Sequence, residues 1–424
     1  MKHAHLLLPV LFLISACLPV AAQYHQPKTI QFKGAPEYTD QELLAAADLK
    51  NGMTLTSVEI NQHSKRLVDS GVFEKLSFSF DGENLVYSLQ QSDALYPVRL
   101  ENLPFITGKD LDATLHARLP LYHGKVPVEG TLLDDVRTAM EGMLASRGIH
   151  AALTSAPFTD LKLQKMTDVS LAITTPSVQI GEFHLDSGGA QDPKVKEVLA
   201  ELTGLPYSME NTPDLIATNL GNYYRDKGYL EVEVRAEPQS TPVIAPEIVS
   251  IPFHVSIAPG SLYKLSSVQV APGLLVSQAN FDHQSHIHPG DIADGPLVRE
   301  NWMYIERQYH NKGYLKASVH AMPSLNRAEG TVGFAVMVEP GPIYKMGALT
   351  IQNVSADLRA AMLAAWKMPA GSVFDEGAIL GFFATHGANP ALERVFVLVD
   401  VKYDLSLHDD TQTVDLALRL ERKH

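Results

Sequence analysis

The chain has a single cysteine, Cys17, among its 424 residues. Without a second thiol it can close no internal disulfide, and Cys-based metal sites and thiol catalysis within the folded part are excluded with it. Basic clusters are lacking too. Lys and Arg number 34 against 48 Asp and Glu, a net charge of −14, and no run of them supports a nucleic-acid groove or a patch for an anionic membrane. Past the first residues no apolar stretch approaches the roughly 18 residues of a membrane-spanning helix. No G-x-S-x-G, H-E-x-x-H or Cys-His arrangement occurs, so catalysis has no support from a motif. What remains is a chain with 45% hydrophobic residues, folded rather than disordered, with an acidic and soluble surface.

Residues 1–22 read differently from the rest. A weakly basic "MKHAH", the apolar run "LLLPVLFLIS" and the small-residue close "ACLPVAAQ" form an export signal. Two processing routes stay open. "LISAC" resembles a bacterial lipobox with Cys17 as the lipidated first residue, whereas Val20-Ala21-Ala22 offers ordinary cleavage before Gln23. Either route delivers a periplasmic protein, free or tethered to the outer membrane by lipid on Cys17.

The strongest signal is repetition. "NYYRDKGYLEVEV" at 222–234 returns as "RQYHNKGYLKASV" at 307–319, and a fixed period marks a repeated structural unit. Before the first copy, Thr212 is an expected helix N-cap with Pro213 at the first helical position. In the second, Val298, Trp302, Ile305 and Tyr309 make one apolar helical stripe. Gly228 and Gly313 stand where helices end at positive φ. The period then becomes two: Leu230, Val232, Val234 and Ala236 face one way, and Glu231, Glu233, Arg235 and Glu237 the other. A further alternating strand follows each copy, and "YKLSSVQV" and "YKMGALTI", each after Pro-Gly (Pro259-Gly260 and Pro340-Gly341), precede the helices. Tyr224, Tyr229, Tyr309 and Tyr314 at the helix–strand junction read as core.

The same template fits three more segments. They share the order strand, helix, helix, strand, strand, with helix stops at Gly71, Gly148 and Gly387. The last adds about seven residues after its stop, in "FFATHGANPALERV". The expected fold class is α+β: five tandem β-α-α-β-β units at 28–92, 95–175, 176–258, 259–341 and a divergent 342–424. Each is a three-stranded mixed sheet covered by two helices, and short linkers set them in an elongated curved array. A unit below about 80 residues has a core worth only a few kcal/mol, so neighbours brace one another.

This order, the Y-x-x-x-G-Y spacing from Tyr224 to Tyr229 and again from Tyr309 to Tyr314, and the Pro-Gly lead-in resemble POTRA, or polypeptide-transport-associated, domains. The resemblance implies a non-enzymatic periplasmic arm serving outer-membrane protein assembly or transport. The eight or more alternating strands of a membrane barrel are not expected in 28–424, so the arm's function alone is carried over. Sheet edges can accept an extended segment of another chain through main-chain hydrogen bonds. In the family the second strand is implicated, which here implies Leu230, Glu231, Val232, Glu233, Val234 and Arg235, and Leu315, Lys316, Ala317, Ser318, Val319 and His320. The implied partners are unfolded outer-membrane proteins or a separate barrel component. Two alternatives stand beside this: an envelope connector gripping one fixed partner, and a metal-binding protein using Asp282, His283, His286, His288 and Asp291. That last cluster falls where every unit turns between its helices, and no metal or cofactor is expected. "DSGGAQD" at 186–192 reads as a turn and cap, lacking the Lys-Ser/Thr of a phosphate loop.

Overall fold

The computed structural model describes residues 24–106, 108–186, 192–385, 389–396 and 398–422. Cys17 with the rest of the expected export signal, Gly387, and 187–191 of "DSGGAQD" lie outside them. The first repeat runs β1 (Tyr24–His25), β2 (Thr29–Lys33), α1 (Asp40–Ala47), β3 (Leu55–Thr56), α2 (Ser57–Asp69), β4 (Phe73–Phe80) and β5 (Asn84–Gln91). The second has β6 (Leu95–Leu100), α3 (Gly108–Arg118), β7 (Lys125–Pro127), α4 (Thr131–Ser146), β8 (Ala152–Asp160) and β9 (Lys165–Thr175). Next come β10 (Ser177–Leu185), α5 (Pro193–Leu202), α6 (Thr212–Asp226), β11 (Glu233–Pro238), β12 (Val243–Ile244) and β13 (Ile248–Ala258). The fourth repeat comprises β14 (Lys264–Val270), α7 (Gln278–Gln284), α8 (Gly295–His310), β15 (Ser318–Asn326) and β16 (Thr331–Glu339). The last has β17 (Lys345–Gln352), α9 (Ala356–Ala365), α10 (Glu376–Ala384), α11 (Pro390–Phe396), β18 (Val399–His408) and β19 (Thr413–Arg422).

The fold is α+β, and beside the two-stranded β1-β3 pair its five larger sheets share one logic. The orders are β2-β5-β4, β7-β6-β9-β8, β10-β13-β11, β14-β16-β15 and β17-β19-β18. Where the pairing is resolved strand by strand, the last strand of a repeat lies in the middle, parallel to the first and antiparallel to the second. The second and last strands form a hairpin, whereas the parallel pair needs a crossover, which the helices supply. The second strand is thereby left at an edge. Two sheets exceed the expected three strands: β7 pairs with Leu95–Pro97 of β6, and β12 with β13. The extra residues of the last repeat form α11, which packs Leu392 and Phe396 into that repeat's core.

The chain divides into two compact units, one holding the first two sheets and the other the last two. In the second, the fourth repeat buries Ile305 and Tyr309 of α8 with Phe281 and Val336, and Trp302 stacks on Phe281 with ring centroids 6.3 Å apart. Three of the four residues of the expected stripe, Trp302, Ile305 and Tyr309, thus form the packing face. Tyr224 and Tyr309 are buried, each edge-to-face with the Tyr after the glycine, at 5.9 and 5.8 Å. Thr212 differs from expectation: it is the first helical residue, and its hydroxyl accepts from the Ser208 N–H at 2.9 Å.

Candidate polypeptide-docking edges

Gly228 and Gly313 do more than stop a helix. Their φ values are +89° and +84°, and their carbonyls accept from the N–H of Tyr263 at 2.9 Å and Tyr344 at 2.8 Å, the residues that lead into the next repeat's first strand. A Cβ on Gly228 would sit 2.8 Å from Ile292 Cγ2, and one on Gly313 would sit 2.8 Å from Val373 Cγ1 and 2.9 Å from the Tyr344 carbonyl oxygen. Gly71 is closed in the same way, by Pro127 and the Glu129 carbonyl. The bare Cα is the socket into which the following repeat docks.

This docking revises the edge expected from the alternation. Leu230 and Glu231, and likewise Leu315 and Lys316, are in turns, and Val232 and Ala317 are outside the strands and buried. The physical reason is that the turn residues are spent on the neighbouring repeat. Glu231 accepts from Tyr263 Oη at 2.5 Å and Arg327 Nε at 2.7 Å. Lys316 Nζ donates at 2.6 Å to Asp409, which also accepts from Tyr344 Oη at 2.5 Å. Arg327 and Tyr263 hold the Glu231 carboxyl below the usual range, and Lys316 and Tyr344 do the same to Asp409. Arg327 and Asp409 stand in or beside hairpin turns and belong to no motif. The recurring Tyr-Lys of the first strands is the sequence signal nearest to this contact.

The remaining expected residues do lie on edge strands. Glu233, Val234 and Arg235 open β11, and Ser318, Val319 and His320 open β15. Val319 and Ala321 pack onto the fourth repeat's core, leaving Ser318, His320 and Met322 exposed. β15 pairs with β16 from Ser318↔Glu339 to Asn326↔Thr331, and among the described residues its other side is open. The two edges differ in charge. β11 shows Glu233, Arg235 and Glu237, whereas the start of β15 shows a serine, a histidine and a methionine. Behind β15 the sheet face away from the helices is a shallow groove of about 390 Å³, floored by Gly333 and Ala335 and walled by Ser267, Gln269, Met322 and Ser324.

The structure does not gather the 282–291 cluster. Asp282 accepts from Gln278 Nε2 at 2.8 Å, and Asp291 accepts from the His288 N–H at 2.8 Å. The segment is a turn: the Gly290 N–H donates to the Leu265 carbonyl at 2.8 Å, as Gly371 does to Met346 at 2.7 Å.

No family model matches the chain. An outer membrane protein assembly factor BamA from Buchnera aphidicola is 19% identical over 321 residues, covering 72% of this chain and 50% of that protein. The chain thus spans about half the length of the curated relative it matches. It resembles the arm of an assembly factor. Among solved structures, Haemophilus influenzae BamA POTRA3-5 is 12% identical with a TM-score of 0.41, covering 59% of this chain and 98% of that one. POTRA1-3 of the Anabaena Omp85 periplasmic domain is 15% identical with a TM-score of 0.23, at 59% and 98%.

Proposed function

We propose that this chain is a non-enzymatic periplasmic scaffold of five POTRA units, 28–92, 95–175, 176–258, 259–341 and 342–424, that holds polypeptides by strand addition during outer-membrane protein assembly or transport. The observation that carries the reading is topological. The hairpin leaves the second strand of each repeat at an edge, and a row of unpaired N–H and C=O groups is a template for an added strand. The likeness to an assembly factor names the setting in which such edges are useful. Binding centres on Glu233–Arg235 and Ser318–His320, because Leu230 and Glu231, and likewise Leu315 and Lys316, are turn residues that contact the neighbouring repeat. The clients are unfolded outer-membrane proteins or the extended segment of a separate barrel component. Attachment to the membrane is by lipid on Cys17 or through that partner.

In-cell photo-crosslinking from Glu233 and Ser318, followed by mass spectrometry of the adducts, tests this. Many different outer-membrane proteins trapped at either site support client handling. One constant adduct supports the connector instead, and no adduct at either position ends strand addition at these edges.

A further inference from the structure

The first two repeats bring together three side chains that lie far apart in sequence. Oε1 of Glu42, on α1, is 3.2 Å from Nε2 of His116 at the end of α3 and 3.3 Å from Nε2 of His123 in the loop that follows. All three ligand atoms lie within 4.8 Å of one another. Zinc bonds to nitrogen and oxygen of about 2.0–2.2 Å in a tetrahedron space the ligand atoms roughly 3.3 Å apart. The two measured separations match that edge.

Each ligand is held from behind. His116 Nδ1 lies 2.9 Å from the Tyr122 carbonyl, which can only accept, so Nδ1 carries a hydrogen and Nε2 is the ring atom turned to Glu42. Tyr122 is itself fixed: its ring is buried and its hydroxyl donates to Asp112 at 2.6 Å. Oε2 of Glu42 accepts from the Thr39 N–H at 2.7 Å and hydroxyl at 2.9 Å, which leaves Oε1 turned to the imidazoles. The His123 ring rests against Tyr38 at 4.6 Å between centroids. Such outer partners fix tautomer and orientation in metal centres.

We propose that Glu42, His116 and His123 bind one divalent transition-metal ion of the zinc class. Three protein ligands leave a fourth position to water or a further ligand. The ion ties α1 of the first repeat to α3 and its loop in the second, so loading stabilises that junction by mass action. The exposed 282–291 histidines serve as an internal control.

The test titrates metal-stripped, full-length protein with Zn²⁺ by calorimetry and with Co²⁺ by visible absorption. The expected result is one tight equivalent with the intense visible bands of four-coordinate cobalt. His116→Ala and His123→Ala should each weaken it by at least about tenfold with an unchanged far-ultraviolet spectrum, while the triple variant H283A/H286A/H288A binds as the parent does. His123→Gln, which keeps bulk at the site, guards against a folding defect. The proposal is overturned if no saturable uptake occurs up to about 100 μM, a weak-binding limit, which would leave a plain His–Glu ion pair. It is equally overturned if uptake survives the single variants or disappears in the triple variant.

Discussion

Glu231 and Lys316 stand at the same position of successive repeats, directly after the Leu of "KGYL", and carry opposite charges. The contact each makes survives the reversal because its partners reverse as well. Glu231 meets Arg327 and the Tyr263 hydroxyl, whereas Lys316 meets Asp409, and Tyr344 donates to that same aspartate. In both cases a carboxylate accepts from the buried tyrosine that leads in the next repeat. Which side supplies the carboxylate is immaterial to the tyrosine, a donor to either.

Lys316→Glu should therefore loosen the contact by placing two carboxylates together, and adding Asp409→Lys should restore it. The reporter is amide exchange at Tyr344, whose N–H is bonded to the Gly313 carbonyl at 2.8 Å. Exchange accelerates in the single variant and returns toward the parent in the double. A double variant as fast as the single would mean that the ion pair contributes nothing to docking.

The helix-ending glycines separate backbone strain from docking. Gly148 has φ +83° and open space where a Cβ would go, whereas Gly228 and Gly313 have the same backbone and a crowded site. Alanine at Gly148 should cost the left-handed penalty alone, about 1–2 kcal/mol. At Gly228 or Gly313 it should cost that plus overpacking of typically about 1–3 kcal/mol. Hydrogen-exchange mass spectrometry, resolved by repeat, measures both. Equal costs at all three positions would remove the socket role.

Much of this fold was legible because its punctuation is local. A glycine at positive φ follows the second helix in each of the first four repeats, and the change of period that follows is set by the strand's two faces. The strand start was misjudged by three residues at Leu230 and again at Leu315, because alternation reports which side is buried and not whether a ladder partner is present. Val232 and Ala317 are buried without lying in a strand. Tertiary contacts without a motif stayed hidden, among them Arg327 and Asp409 in or beside hairpin turns. Glu42 with His116 and His123 was hidden for a different reason: its members are joined only when two repeats fold against each other. The dense 282–291 run drew attention because its residues are close in sequence, which a turn does not convert into closeness of ligand atoms.

A histidine ties the fourth repeat to the fifth. His310 Nδ1 lies 2.8 Å from Glu376 Oε2, and Tyr403 donates to the other oxygen at 3.1 Å. The hydrogen bond to Glu376 raises His310 above its ordinary 6.5, and His310 lowers Glu376 below its ordinary 4.5. A raised histidine stabilises fully below its unfolded value and loses that contribution as pH rises through the folded one. A lowered carboxyl stabilises above its unfolded value and loses the contribution as pH falls through the folded one. The pair is therefore strongest between the two ordinary values. The Tm difference between the parent and His310→Gln should peak at about pH 5–6 and shrink toward alkaline pH. A difference that grows with pH would show the imidazole to be neutral in the folded protein.

Three of the edge strands carry a proline as their sixth residue: Pro157 opposite Val169 in β8, Pro238 at the end of β11 and Pro323 opposite Phe334 in β15. Proline has no N–H to offer a new strand and is confined to sheet edges for that reason. It limits the usable part of β15 to Ser318–Met322. Pro323→Val should extend the template, so that a photo-crosslinker at Ser324, silent in the parent, captures the same polypeptides as one at Ser318. The longer exposed edge should also raise self-association, read by light scattering across a concentration series. If Ser324 crosslinks equally with and without the proline, the strand is not being extended by addition, and the captured chain lies instead across the shallow groove behind β15. Position on the edge and position on the face thus give different answers to a single substitution.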